Sequence, residues 1–286
     1  MKTILITGIN GFLGSHLAKC LSDNNQIIGL EYSTENLFRL KKDEFKVYSS
    51  ELDNLKTIFE ENNIDFVVHT ATTYRVFNNS IESMLKTNVL LPIKLYELAN
   101  HFGAEAFLNT DSFFNDPNSN YSYLGDYTLT KRCCVDFLKS IQNQTKIINM
   151  KLFHMYGPSD SPDKFVSFIM NELKSNKPLI KLTKGDQMRD FIFVEDVVNA
   201  FKLIINSTES LEEKFTEFEI GTGKSVSIKD FVCLTSKLLG SKSKLDFGAL
   251  KHRDGEIMFS QAKNDSILSL GWKINYDLEK GVNQII

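Results

Sequence analysis

Six short apolar runs alternate with amphipathic stretches through the first half of the chain, and that alternation leaves few folds open. The runs are TILIT (3–7), QIIGLE (26–31), FKVYS (45–49), DFVVHTA (65–71), EAFLNT (105–110) and KIINMKLF (146–153). Each has the length and apolar content of a strand. Between them lie GSHLAKCLSDN, NLKTIFEENN, SMLKTNVLLPIKLYELANHFG and YTLTKRCCVDFLKSIQNQ, with apolar residues at helical spacing. A crossover helix returns the chain to start a parallel neighbour, so the expectation is an α/β fold: a Rossmann-like, doubly wound parallel sheet. After about residue 155 the pattern breaks up. Residues 165–173 suggest a helix, RDFIFVEDVVNAFKLII a strand-like piece followed by a helix, and SIKDFVCLTSKLLG another helix. The expected division is a sheet domain of 1–154 with about 186–206, and a smaller, interwoven C-terminal α/β lobe of 155–185 with 207–286. Such a lobe would lie over the carboxyl edge of the sheet, where open α/β sheets bind their ligands.

The turn between the first strand and first helix reads TGINGFLGSHL (7–17). Gly8, Gly11 and Gly14 stand where a tight turn, close approach to a pyrophosphate and tight helix–strand packing each exclude a Cβ. The helix start offers free N–H groups to phosphates. Glu31 ends the second strand, where a carboxylate accepts hydrogen bonds from an adenosine ribose and repels a 2′-phosphate. NAD(H) is therefore favoured, with NADP(H) the alternative because Arg39 stands near; a solvated glutamate is the structural reading. Candidate cofactor contacts are Gly8, Asn10, Gly11, Phe12, Leu13, Gly14, Glu31, Glu51, Leu52, Thr70, Ala71, Thr72, Tyr127 and Lys131. The sheet domain is thus the NAD(P)-binding one.

Tyrosine precedes lysine by four residues twice, at Tyr127–Lys131 and at Tyr276–Lys280. On one helix face an ammonium beside a phenol favours its ionised form, and such a tyrosine can exchange a proton with a sugar oxygen near neutral pH. Context separates the copies. Tyr127 opens the helix after the fifth strand, whose end supplies Thr110, whereas Tyr276 follows LGWKIN far from any crossover.

The Gly8, Gly11, Gly14 spacing, VVHTAT at the fourth strand's end, and Tyr127-x-x-x-Lys131 after FLNTDSFF together resemble the extended short-chain dehydrogenase/reductases acting on nucleotide sugars. The resemblance continues through MKLFHMYGP (150–158), QMRDFIFVEDV (187–197), GTGKSVSI (221–228), HRDGEI (252–257) and LGWK (270–273). It implies that Tyr127 exchanges a proton with the sugar oxygen while hydride moves to or from nicotinamide. Lys131 would lower the phenol pKa and hold the nicotinamide ribose, and Thr110 would bind the same sugar oxygen.

Dehydratases of the family carry Thr-Asp-Glu where this chain has Thr110-Asp111-Ser112. Without the glutamate there is no carboxylate base for C5, so elimination is disfavoured. FLNTDSFF, DFIFVEDVVNA, RDGEIMFS and His154 in FHMYGP are similar to CDP-abequose synthase-like nucleotide-sugar 4-ketoreductases. The resemblance implies reduction of a C4 ketone on an NDP-4-keto-6-deoxyhexose, CDP-linked, in bacterial surface-polysaccharide (O-antigen) sugar biosynthesis. Asp111 is then a remnant or a substrate hydrogen-bonder, and Ser112 a substrate contact. Arg189 and Arg253 match positions that grip the nucleotide diphosphate; the structural reading pairs Arg189 with Asp190 or Asp196, and Arg253 with Glu256. His154 is either a substrate contact or a satisfied buried histidine. His69 is expected to order the fourth-strand turn, and His16 to be structural. An NAD-dependent 4-epimerase is the nearest rival, and a non-catalytic NAD-sensing protein a more distant one.

A formal net charge of −3 and the lack of a basic run argue against nucleic acid. The apolar start meets glycines instead of a signal-peptide cleavage site, and no apolar stretch reaches membrane-spanning length, so a cytoplasmic protein is expected. Cys20, Cys133, Cys134 and Cys233 have neither disulfide-framework nor metal-ligand spacing. No metal site is expected. The apolar surplus around 84–101 and 127–142, helices that pair across a two-fold axis in the family, points to a homodimer.

Overall fold

The computed structural model describes residues 1–41, 44–50, 55–74, 80–116 and 124–286. The first half runs β1 (Thr3–Thr7), α1 (Phe12–Leu21), β2 (Gln26–Glu31), β3 (Lys46–Ser49), α2 (Leu55–Glu61), β4 (Phe66–His69), α3 (Ile81–Leu85), α4 (Leu91–His101), β5 (Ala106–Ser112), α5 (Gly125–Ser140) and β6 (Lys146–Leu152). The second continues with β7 (His154–Tyr156), α6 (Phe165–Lys174), β8 (Leu179–Leu182), β9 (Met188–Arg189), β10 (Phe191–Phe193), α7 (Val194–Ser207), β11 (Phe215–Ile220), β12 (Val226–Ser227), α8 (Ile228–Leu239), β13 (Lys244–Phe247), α9 (Asp265–Ser269) and α10 (Leu278–Asn283).

Seven strands form one sheet in the order β11-β6-β5-β4-β1-β2-β3. The pairs β3–β2, β2–β1, β1–β4 and β4–β5 are parallel. Strand order reverses between β1 and β4, which makes the ends of those two strands the switch point where such sheets bind ligands. β4 is buried on both faces, as helices on both sides require. One flank packs Leu5, Val67 and Phe107 against Leu55, Ile58, Leu95 and Leu138.

Helices α3 and α4 are joined by a π-helical turn over Lys86–Leu90. Pro92 explains it. A proline has no N–H for the carbonyl four residues back and its ring crowds that carbonyl, so the helix widens. The N–H of Leu91 accordingly donates to Lys86 O, five residues back.

The chain divides into two compact units. The first comprises Met1–Pro117, Leu124–Lys151 and Val198–Phe218; the second includes Leu152–Val197 and Glu219–Ile286. The segment that returns to the sheet unit is therefore 198–218, where the sequence reading has 186–206. The reason is pairing: β9 and β10 bond to β12 and β7 inside the second unit, while β11 adds the seventh strand to the sheet. The second unit has a core of Tyr156, Ile169, Leu173, Phe191, Phe193, Phe231 and Val282. Asp190 anchors its loops, accepting from Thr222 N, Gly223 N and Ala262 N at 2.8, 2.9 and 3.0 Å. Among the described residues no helix is long and apolar enough to cross a membrane.

Candidate active site

After β1 the chain turns through Gly8 at φ +63°, where a Cβ would stand 2.9 Å from Ala71 Cα. A Cβ on Gly14 would stand 2.1 Å from Gly8 O, so α1 reaches the turn only without one. Gly11 is the N-cap of α1 and has no side chain with which to cap that helix end. A cradle free of side chains before that helix start fits a pyrophosphate, with Asn10, Phe12 and Leu13 alongside the glycines. The Thr7 hydroxyl accepts from Thr70 N and Ala71 N, both at 3.1 Å, and lies 2.9 Å from His69 Nδ1. These bonds pin the Thr70–Thr72 segment to the end of β1. His69 orders the turn as expected; burial, then the Lys131 charge, hold its imidazole well below the usual pKa.

Glu31 turns its carboxylate back to the glycine turn, accepting from Asn10 N and Tyr32 N, each at 3.0 Å. Arg39 meets the same residue: its N–H donates to Asn10 Oδ1 at 2.9 Å and its Nη1 to Asn10 O at 3.1 Å. The Glu31 carboxylate and the Arg39 guanidinium are thus both tethered to Asn10. Glu51 and Leu52 lie outside the described residues.

Thr110, Ser112, Tyr127 and Lys131 come together in the first unit. Tyr127 and Lys131 share the first turns of α5, are both buried, and the lysine Nζ lies 5.9 Å from the phenol ring centre. Lys131 Nζ donates to Thr110 O at 2.8 Å. The Thr110 hydroxyl oxygen is buried with no hydrogen-bond partner among the described residues. A buried, unmatched hydroxyl is costly unless it serves a ligand. The net acidity of the phenol runs against the expected lowering. Burial first, then the Tyr74 phenol and the Asp111 carboxylate, push Tyr127 well above the usual tyrosine pKa, while a hydrogen bond from Ser112 acts in the opposite direction.

Strand alternation puts Thr110 and Ser112 on one face of β5 and Asp111 with Asn109 on the other. Asp111 Oδ2 accepts from Asn115 Nδ2 at 3.0 Å and from Asn149 Nδ2 at 3.1 Å, and Asn149 Nδ2 also donates to Glu217 Oε2 at 2.7 Å. Asp111 is therefore held in a buried polar row across β5, β6 and β11, and burial raises its pKa.

In the second unit, Arg189 is buried and its Nη2 donates to Glu256 Oε1 at 2.6 Å. Its partner is neither Asp190 nor Asp196, as the structural reading had it. Asp196 instead accepts from Asn275 N and Tyr276 N. Arg253 is exposed. His154 Nε2 lies 3.3 Å from Ser260 Oγ, and burial, then Arg189 and Lys164, keep the imidazole neutral.

Two contributors escaped the sequence reading. Tyr74 stacks on Tyr127 with ring centres 4.5 Å apart. Asn88, on the π-turn, accepts from Thr73 N at 2.8 Å and donates to Thr73 O at 2.9 Å and Thr130 Oγ1 at 3.0 Å. The available signal was an asparagine four residues before Pro92 in an apolar helix.

The sequence matches the NAD dependent epimerase/dehydratase family over residues 4–221. It is 36% identical to CDP-abequose synthase of Salmonella typhimurium, covering 99% of this chain and 97% of that one. The structure of MoeE5 in complex with UDP-glucose and NAD matches with TM-score 0.80 at 25% identity, over 99% of this chain and 96% of the other. The UDP-glucose 4-epimerase of Thermotoga maritima matches in fold, with TM-score 0.84 at 20% identity over 99% and 96% of the two chains. With its glycine turn at the switch point and its Tyr127–Lys131 pair beside Thr110, the chain belongs to the NAD dependent epimerase/dehydratase family, the extended short-chain dehydrogenase/reductases.

Proposed function

We propose that the protein is a nucleotide-sugar 4-ketoreductase that converts the C4 ketone of a CDP-4-keto-6-deoxyhexose to a hydroxyl. The observation that carries this reading is the buried Tyr127–Lys131 pair with the ammonium on the Thr110 carbonyl, the Thr110 hydroxyl oxygen buried, and a Ser112 hydroxyl where elimination would need a carboxylate base. The similarity to CDP-abequose synthase supports the substrate class. When bound, the nicotinamide supplies the hydride. Tyr127, kept protonated by burial, gives its proton to the ketone oxygen, and the Thr110 hydroxyl donates to that oxygen as negative charge develops. Lys131 fixes the Thr110 carbonyl and stabilises the phenolate left behind. Arg189 and Arg253 contact the diphosphate, and His154 the sugar. Asp111 acts as a support.

Glu31 at the end of β2 favours NAD(H); Glu31→Ala raises the NADPH to NADH preference if that assignment holds. Exposed Ile81, Leu85 and Leu90, with Leu129 and Phe137 on α5, form the face of a homodimer. A monomeric mass by light scattering at micromolar concentration argues against the dimer.

The deciding experiment supplies a CDP-4-keto-6-deoxyhexose and reduced nicotinamide. Stoichiometric oxidation of the cofactor with formation of the 4-hydroxy sugar is expected. Interconversion of 4-hydroxy sugars without net cofactor change identifies a 4-epimerase instead, an activity for which the same three residues suffice.

A further inference from the structure

Tyr74 is the one aromatic side chain among the described residues that stacks on the Tyr127 ring. It lies in the segment after β4, with ring planes inclined 25° to Tyr127 and the two hydroxyls hydrogen-bonded. Its segment is not loose. Asn88 grips both the N–H and the C=O of Thr73, and through Thr130, whose hydroxyl donates to Tyr127 O at 2.8 Å, it ties that segment to the helix turn bearing Tyr127. One buried amide therefore fixes both members of the stack.

We propose that Tyr74 is a positioning residue for Tyr127, its ring fixing the tilt of the reacting phenol and its hydroxyl holding the proton there until the ketone oxygen is in place. This rests on Tyr127 as the proton donor. A stacked ring leaves the phenol little freedom to tilt, and an offset face-to-face pair is a favoured aromatic geometry. The other titratable groups facing Tyr127 are Asp111 from β5, which acts in the same sense as Tyr74, and Lys131 from α5, with its Nζ 5.9 Å from the ring centre. Removing the Tyr74 hydroxyl leaves both in place.

The test uses Tyr74→Phe and Tyr74→Leu in the full chain, assayed for ketone reduction across pH with Tyr127→Phe in parallel. Reduction needs the protonated phenol, so kcat/KM falls on the alkaline side as that proton is lost. Tyr74→Phe keeps the stack and is expected to move that limb to lower pH by roughly half a unit to one unit. Tyr74→Leu loses the stack as well and is expected to lower kcat about tenfold with a smaller change in sugar KM. An alkaline limb in Tyr74→Phe that coincides with the parent's overturns the proposal while an inactive Tyr127→Phe leaves the catalytic reading standing. An active Tyr127→Phe overturns both. Tyr74→Phe keeps the core volume, so the limb is readable even where Tyr74→Leu fails to fold.

Discussion

Two tyrosines precede a lysine by four residues, and the structure treats them as different objects. Tyr127 and Lys131 lie within α5, buried, with the ammonium on the Thr110 carbonyl. Tyr276 precedes the N-cap of α10, so it is outside the helix; its hydroxyl donates to Glu195, while Lys280 Nζ donates to Asn275 O at 2.8 Å. Both lysines lie near their rings, at 5.9 and 4.4 Å from the centre. Proximity of cation and phenol therefore does not tell the two pairs apart. What separates them is the company: a second phenol and, near the end of β5, a threonine with an unmatched hydroxyl for Tyr127, against a solvent-facing carboxylate for Tyr276.

The sharpest way to break this comparison is to remove each hydroxyl in turn. Tyr127→Phe is expected to lower kcat by about 10³-fold with an unchanged melting temperature, and Tyr276→Phe to leave kcat as it is. Equal losses would erase the distinction. Next in size, Lys131→Met and Thr110→Val should each cost about 10²-fold in kcat, since each removes a group that stabilises charge in the closed site, whereas Lys280→Met should cost nothing. Steady-state kinetics on folded variants checks both pairs.

A smaller effect separates the phenols by alkaline stability. Glu195 first, then burial, raise Tyr276 from its ordinary 10 to about 12. A raised folded pKa contributes stability that is complete below the unfolded value and disappears as pH rises through the folded one, so that contribution fades between pH 10 and about 12. Tyr276→Phe should flatten the decline of the urea midpoint in that window; a parallel decline in both proteins removes the assignment. The smallest effect concerns the buried neutral histidines, one in each unit. His69 and His154 are depressed, so the stability they contribute is present above the ordinary histidine pKa of about 6.5 and lost as pH falls below it. The unfolding midpoint should drop from about pH 7 to about pH 5, and a flat profile over that range would contradict the burial of both rings.

Six of the seven sheet strands are legible in the chain because each is a short run of β-branched and aromatic residues broken by a helical period. β11 is not. Its FTEFEI sequence alternates, which an edge strand covered on one face permits, and nothing local says that it returns to lie beside β6. The glycine turn and Tyr127–Lys131 were legible for the same local reason: their spacing is set within one turn or one helix. Arg189 shows the opposite case, since its carboxylate partner Glu256 is 67 residues away and the nearer Asp190 and Asp196 serve loop backbones instead.

The amino-acid order alone fixed the α/β alternation, the glycine turn before α1 and the placing of Tyr127 and Lys131 on one helix, because each depends on periodicity or steric exclusion between near neighbours. Only the tertiary fold decided that Tyr74 faces Tyr127, that Asn88 clamps them, and that Asp111 meets Asn149. Those outcomes depend on burial and on contacts between distant segments, and they set the acidity of the phenol in a direction its lysine neighbour does not foretell.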